Sequence, residues 1–210
     1  MLSTMGQGML RTCAIFIWTV ALSLPLGVIV ALLRKSKIKV LSVLIKIYIS
    51  IMRGTPLMLQ LLVWYFGPYY LFGWSIRGYR FPAIIIGFVM NYAAYFAEIF
   101  RGGIESMPVG QYEAATVLGY TRGQTFVKII LPQVVKRILP SITNEVITLV
   151  KDTSLAFAVS YMEMFTIGKQ IANSQTSFMP FLVAGVFYYV FNALVDFAMG
   201  RAEKALDYYR

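Results

Sequence analysis

The sequence contains no histidine and a single cysteine, Cys13. A zinc site built by this chain alone, a Ser-His triad and a disulfide framework are thereby excluded, because each needs residues that are missing. Charge is scarce as well: 13% of residues are charged and 59% hydrophobic, where soluble domains carry about 25% and about 45–50%. Acidic residues are the scarcest, nine against nineteen Lys and Arg. In a soluble chain that excess points to nucleic acid. Here long uncharged runs separate the basic residues, which is the pattern of a membrane protein with basic cytoplasmic loops, and no nucleic-acid partner is expected. The phosphate-cradling sequence G-x-x-x-x-G-K-[ST] is also missing, since Gly168-Lys169 has neither the earlier glycine nor a following hydroxyl. Energy for any work must come from a partner or a gradient.

A helical span needs about 20 mainly apolar residues, because each rises about 1.5 Å and the hydrocarbon layer is about 30 Å thick. Five segments qualify. Residues 12–33 and 54–76 carry no charge, 81–97 run uncharged up to Glu98, and 178–195 up to Asp196. The remaining segment, 131–161, is apolar but interrupted by Lys136, Arg137, Pro140, Glu145, Lys151 and Asp152. The first run is too long for a cleaved signal peptide, with only Arg11 ahead of it and a basic cluster behind, so it reads as a retained helix. That cluster, Arg34, Lys35, Lys37 and Lys39, places the following loop in the cytoplasm. Alternation from there leaves fourteen basic residues inside, four outside (Arg11, Arg77, Arg80, Lys169) and Lys151 in the membrane.

The fold expected is therefore an all-α membrane protein, one domain over 1–210, of five transmembrane helices with the N-terminus outside and the C-terminus cytoplasmic. Ile38, Leu41, Ile45 and Tyr48 recur at helical spacing, so this stretch lies on the surface or lengthens the second span. Thr55-Pro56 marks either a helix start or a kink. Tyr69, Tyr70, Trp74 and Tyr79 read as interfacial anchors at the outer end.

Between the third and fourth spans, the run from Met107 to Gly119 reads as a short helix started by Pro108 and stopped by Gly119. Thr121 and Gln124 then stand in capping-box order at the start of a second helix, which Pro132 bends or restarts. Small Ala114 and Ala115 leave room for another surface. A hairpin resting on lipid headgroups is the alternative that local pattern leaves open.

Glu113-Ala114-Ala115, three residues, Gly119, nine residues, Ile129, one residue and Leu131-Pro132 resembles the loop motif of permease subunits in ATP-binding cassette importers. Arg53-Gly54-Thr55-Pro56-Leu57, the run from Asn91 to Gly102 and Lys151-Asp152-Thr153-Ser154 resemble the polar amino acid branch of that family. The resemblance implies a transport subunit that is not itself an enzyme and binds no cofactor. ATP and Mg would sit on a separate ATPase dimer that grips a cytoplasmic coupling helix at Glu113 to Gly119. It further implies a second permease subunit, identical or sister, an extracellular or periplasmic substrate-binding protein, and a place in the bacterial cytoplasmic (inner) membrane.

A charged group at the centre of a span costs roughly 2.5–3.5 kcal/mol on insertion scales, so the residues interrupting the fourth span should face protein or water. At about 100° per residue, Ser141, Asn144, Glu145, Thr148 and Asp152 form one stripe of a continuous helix, with Ile142, Val146, Leu149 and Val150 elsewhere on the wheel. Gly87, Asn91, Tyr95 and Glu98 share a face of the third span in the same way. Two polar stripes can line one passage. A free amino acid presents an ammonium and a carboxylate; Asp152 can hold the first while hydroxyls or helix N-terminal amides meet the second. Candidate path residues are Asn91, Tyr95, Glu98, Asn144, Thr148, Asp152 and Ser154. Glu145 lies toward the cytoplasmic half and reads more readily as structural.

The alternative for any one of them is hydrogen bonding between helices, or neutralisation of Lys151, Arg101 or Arg53 by Asp152 or Glu98. Two other functions also remain open. A proton-coupled secondary amino acid carrier would use Glu98 or Asp152 as its proton site but leaves the helix-corner-helix loop unexplained. A membrane scaffold or sensor leaves the stripes unexplained.

Overall fold

A computed structural model of the chain describes residues 2–206. Among these residues there are helices and turns but no strand. The α-helices are α1 (Leu2–Arg34), α2 (Lys39–Gly54), α3 (Leu57–Phe72), α4 (Arg80–Glu105), α5 (Val109–Val117), α6 (Arg122–Thr125), α7 (Leu131–Asp152), α8 (Met164–Gln175) and α9 (Met179–Ala205). A π-helical turn, Phe126–Ile130, joins α6 to α7, and a 3-10 segment, Thr153–Val159, follows α7.

α4 is the axis of the fold and packs against α1, α2, α3 and α7. Its Phe88, Tyr92 and Phe96 are buried with Leu61 of α3 and Leu149 of α7. Lipid tails are as apolar as these side chains, so close packing rather than water exclusion must hold the helices together. α1 meets this need with a buried stripe of mostly small residues, Gly8, Thr12, Ile15, Thr19, Ser23 and Gly27. A Cβ on Gly27 would lie 2.7 Å from Phe96 Cβ, so the two helices approach more closely there than alanine permits.

Three of these helices, α1, α4 and α9, are long and apolar enough to cross a bilayer, and a fourth crossing results if α2 and α3 together are one span. α2 is bent away from α3 by 112°, so the break falls at the start of the predicted second span, 54–76, whose helical part is the one helix α3. Proline at 56 is the physical reason: it supplies no amide and drives Thr55 into extended backbone (φ −120°, ψ 148°). α2 therefore neither lengthens α3 in line nor stands alone, and Ile49 packs it on Val30, Ala31, Ala94 and Ala97. The fourth predicted span is a single helix through Pro140 as far as Asp152, where it tightens and then turns at left-handed Ser160 (φ 53°). α8 occupies what reads as loop; its start is capped by Glu163, whose carboxylate accepts from the amides of Phe165 and Thr166, each at 2.7 Å.

Candidate substrate path and coupling surface

The corner between α2 and α3 leaves the last carbonyls of α2 without helical partners. Two buried amides serve them. Gln60 Nε2 donates to the carbonyls of Met52 (2.9 Å) and Thr55 (3.1 Å) and to Thr55 Oγ1 (2.8 Å). Asn91 Nδ2 donates to Met52 O (2.9 Å) and to Gln60 Oε1 (3.0 Å). Asn91 thus ties α4 to the corner, and Gly87 on the same face packs under Leu61, whose Cδ2 lies 2.8 Å from where a Cβ would be. The polar stripe of α4 is filled by helix packing over much of its length.

Between the α2–α3 corner, α4 and α7 lies a cavity of about 410 Å³. Thr55, Pro56 and Leu57 form one wall, Asn91, Tyr92 and Tyr95 a second, and Glu145, Thr148, Asp152 and Leu155 a third. Asp152 Oδ2 accepts from Tyr92 OH at 2.8 Å, and among the described residues no cation lies within ion-pair distance of it. Thr148 donates to Asn144 O at 2.9 Å, which leaves its lone pairs free to accept. Two carboxylates beside hydroxyls and aromatic faces suit a cationic group. Glu145 is the residue that distance along the chain argued against: it shares the α7 stripe with Asp152 and stands one helical turn from Thr148, so the stripe itself carried the signal.

Glu98, Asn144 and Ser154 lie outside this cavity. Glu98 pairs with Arg34, with Arg101 at 2.8 Å and with Arg53 at 3.8 Å, while Arg101 also pairs with Glu105. This cluster joins the ends of α1, α2 and α4. Arg53 also stacks over Tyr95, 5.3 Å from the ring centroid, and so connects the cluster to the cavity. Asn144 is exposed on α7, and Ser154 Oγ donates to Lys151 O at 2.8 Å.

The loop between α4 and α7 has the predicted form. Pro108 precedes α5, and Gly119 adopts φ 78°. The amide of Gly119 bonds to Thr116 O (3.0 Å) and that of Tyr120 to Ala115 O (3.0 Å), the paired closure of a helix that ends on a left-handed residue. No atom lies within 4 Å of a Cβ placed on Gly119, so its backbone conformation, rather than lack of space, calls for glycine. Thr121 and Gln124 form the reciprocal cap, at 3.0 and 3.3 Å. Ala115 is only 1% exposed and packs inward, so Ala114 alone presents a small side chain outward. Glu113 is exposed beside Ala114, with Val117 88% and Leu118 72% exposed on the same turn. Ile129 packs on the core, and Leu131 and Pro132 continue from the π-helical turn into α7.

The chain is 39% identical over 182 residues to the probable amino-acid permease protein YxeN of Bacillus subtilis, covering 86% of this chain and 81% of that protein. It is 37% identical over 202 residues to the putative glutamine transport system permease protein GlnP of Rickettsia bellii, covering 95% and 91%. Its fold is similar to that in the crystal structure of an amino acid ABC transporter with histidines, with a TM-score of 0.88 at 29% identity over 97% of this chain and 94% of that one. Residues 23–208 match the model of the binding-protein-dependent transport system inner membrane component. An α1 without charge from Thr12 to Leu33, a cavity bearing carboxylates between α4 and α7, an exposed capped helix pair and this match over most of the length agree, and the chain belongs to the family of binding-protein-dependent transport system inner membrane components.

Proposed function

We propose that this chain lines the membrane path of an ATP-driven importer for a polar amino acid, with Asp152 receiving the substrate's ammonium group. The observation that carries the reading is Asp152 itself, a carboxylate beside a cavity, held by one tyrosine hydroxyl and without an ion pair among the described residues. Similarity to amino acid permeases supports the substrate class. Tyr95, Thr148 and Glu145 complete the polar lining, and Asn91 holds the corner from which Thr55 faces the same space. Glu98, Asn144 and Ser154 act around the cavity rather than in it.

The five crossings are α1, the bent pair α2 and α3, α4, α7 and α9, with the N-terminus outside and the C-terminus in the cytoplasm of a bacterial cell. Ser141, Asn144 and Lys151 are exposed on α7, where lipid would make them costly. A second permease subunit, identical or sister, covers that face. α5 is the coupling helix: Glu113, Ala114 and Gly119 meet an ATPase dimer, which holds ATP and Mg, while Ala115, Ile129, Leu131 and Pro132 support that surface from within and carry its motion into α7. Exposed Val117 and Leu118 gain an apolar partner in the same contact. A binding protein on the outer side delivers the substrate. The test is to purify the chain with its ATPase and binding protein and screen amino acids for stimulation of ATP hydrolysis. Stimulation by one polar amino acid is the expected result; hydrolysis indifferent to all of them contradicts the reading.

A further inference from the structure

Arg11, Arg77 and Arg80, three of the four basic residues assigned to the outer side, converge on one open cavity of about 730 Å³. They come from α1, from the turn before α4 and from the first residue of α4. Two are held in place by the fold. Arg11 Nη1 donates to Met162 O at 3.0 Å; Arg80 Nη1 donates to Ser160 O at 3.2 Å, and its guanidinium lies 5.6 Å from the Tyr65 ring centroid. Arg77 is exposed, and its guanidinium has no partner among the described residues.

A guanidinium carries five N–H donors, so most of the donor capacity of this group is unmet. No carboxylate pairs with any of the three among the described residues. Glu163 is the only acidic residue in the stretches 2–24, 69–88 and 153–190. It is fully buried, its carboxylate taken up by the amides of Phe165 and Thr166 and the hydroxyl of Tyr188. This end of the molecule therefore presents positive charge with nothing of its own to offset it. Membrane insertion does not explain the arrangement, because the positive-inside rule disfavours basic residues on this side and says nothing about gathering them. Tyr69 at the cavity and Trp74 beside it are 51% and 64% exposed, and arginine with tyrosine and tryptophan is the composition of protein-interface hot spots.

We infer that this cavity docks an acidic segment of the binding protein, whose carboxylates enter among Arg11, Arg77 and Arg80. The inference rests on the outward N-terminus and the binding-protein partner proposed above. Three guanidiniums spread around such a volume match several negative charges on one segment better than the single phosphate of a lipid headgroup.

The test uses the permease–ATPase complex in phosphatidylcholine vesicles, with ATP hydrolysis followed against the concentration of the binding protein that stimulates the wild type. Arg77→Glu should raise the half-saturating concentration roughly tenfold with the plateau retained, as reversal of a steering and docking charge does. Arg77→Lys should stay near wild type, and added salt should narrow the difference by screening. Unchanged half-saturation in both Arg77→Glu and Arg11→Glu/Arg77→Glu overturns the inference alone. A shift seen only in vesicles containing phosphatidylglycerol, and equally without binding protein, makes this a headgroup site and also overturns it. Absence of any stimulation of the wild type overturns the functional reading and this inference with it.

Discussion

Glu98 and Asp152 are both half-buried carboxylates on polar stripes of helices that pack together, yet their surroundings are opposite. Three arginines from α1, α2 and α4 face Glu98, whereas one tyrosine hydroxyl faces Asp152 beside a cavity. A carboxylate surrounded by cations is already neutralised and holds helix ends together; one without them is available to a cation that arrives later. Position on a stripe says that a residue avoids lipid. The groups facing it say what it does.

The largest effect is expected where a compensated charge is removed. Glu98→Ala leaves three arginines clustered without their shared anion and should destabilise the fold by about 3 kcal/mol, the lower end for breaking a buried pair because Arg53 and Arg101 remain partly in water. A lowered thermal midpoint in detergent checks this. A normally stable Glu98→Ala protein that no longer transports would erase the distinction between the two sites.

Gly119→Val extends the comparison to the loop, where the constraint is on the backbone. There is room for the side chain, but a β-branched residue at positive φ costs roughly 1–3 kcal/mol. The loop should relax out of its docked shape, leaving a folded permease whose ATPase partner binds weakly or hydrolyses ATP without transport. Copurification with the ATPase and the ratio of transport to hydrolysis measure this; normal values for both would contradict the coupling role.

Asn91→Ala sharpens the contrast inside the cavity wall itself. It removes two hydrogen bonds that hold the corner, for a loss of about 1 kcal/mol per bond. Stability should fall more than substrate affinity does. Smallest in energy and most direct for orientation is cysteine labelling: Ser36→Cys and Thr121→Cys should be shielded from an impermeant thiol reagent in intact cells, and Ser75→Cys should react. The reverse pattern contradicts the five-crossing topology.

The parts of the molecule legible in the sequence are those whose causes are local. The cap at Thr121, the closure at Gly119 and the single polar stripe of α7 each follow from residues within a few positions of one another. The corner at Pro56 is legible as a break, but not its angle or its fastening, because Gln60 and Asn91 come together across 31 positions. Arg34 reaches Glu98 across 64, so the sequence shows that cations exist without showing which carboxylate they meet. α8 escapes notice because twelve residues rich in Gln, Asn and Ser resemble a loop, and its cap is a buried glutamate rather than a serine or aspartate. Ala115 cannot be separated from Ala114 by composition; only the packing of α5 on the core turns one inward.

The most direct test of the central claim is uptake of a labelled polar amino acid into proteoliposomes containing the permease, its ATPase and its binding protein, comparing wild type with Asp152→Asn. The substitution keeps the shape and removes the charge offered to the ammonium group, and loss of a charge-assisted bond predicts roughly a tenfold or greater fall in uptake. The thermal midpoint and copurification with the ATPase should be unchanged. Uptake at the wild-type rate, or a fall matched by loss of folded protein that Lys151→Met reverses, would place Asp152 in a structural ion pair and contradict the account.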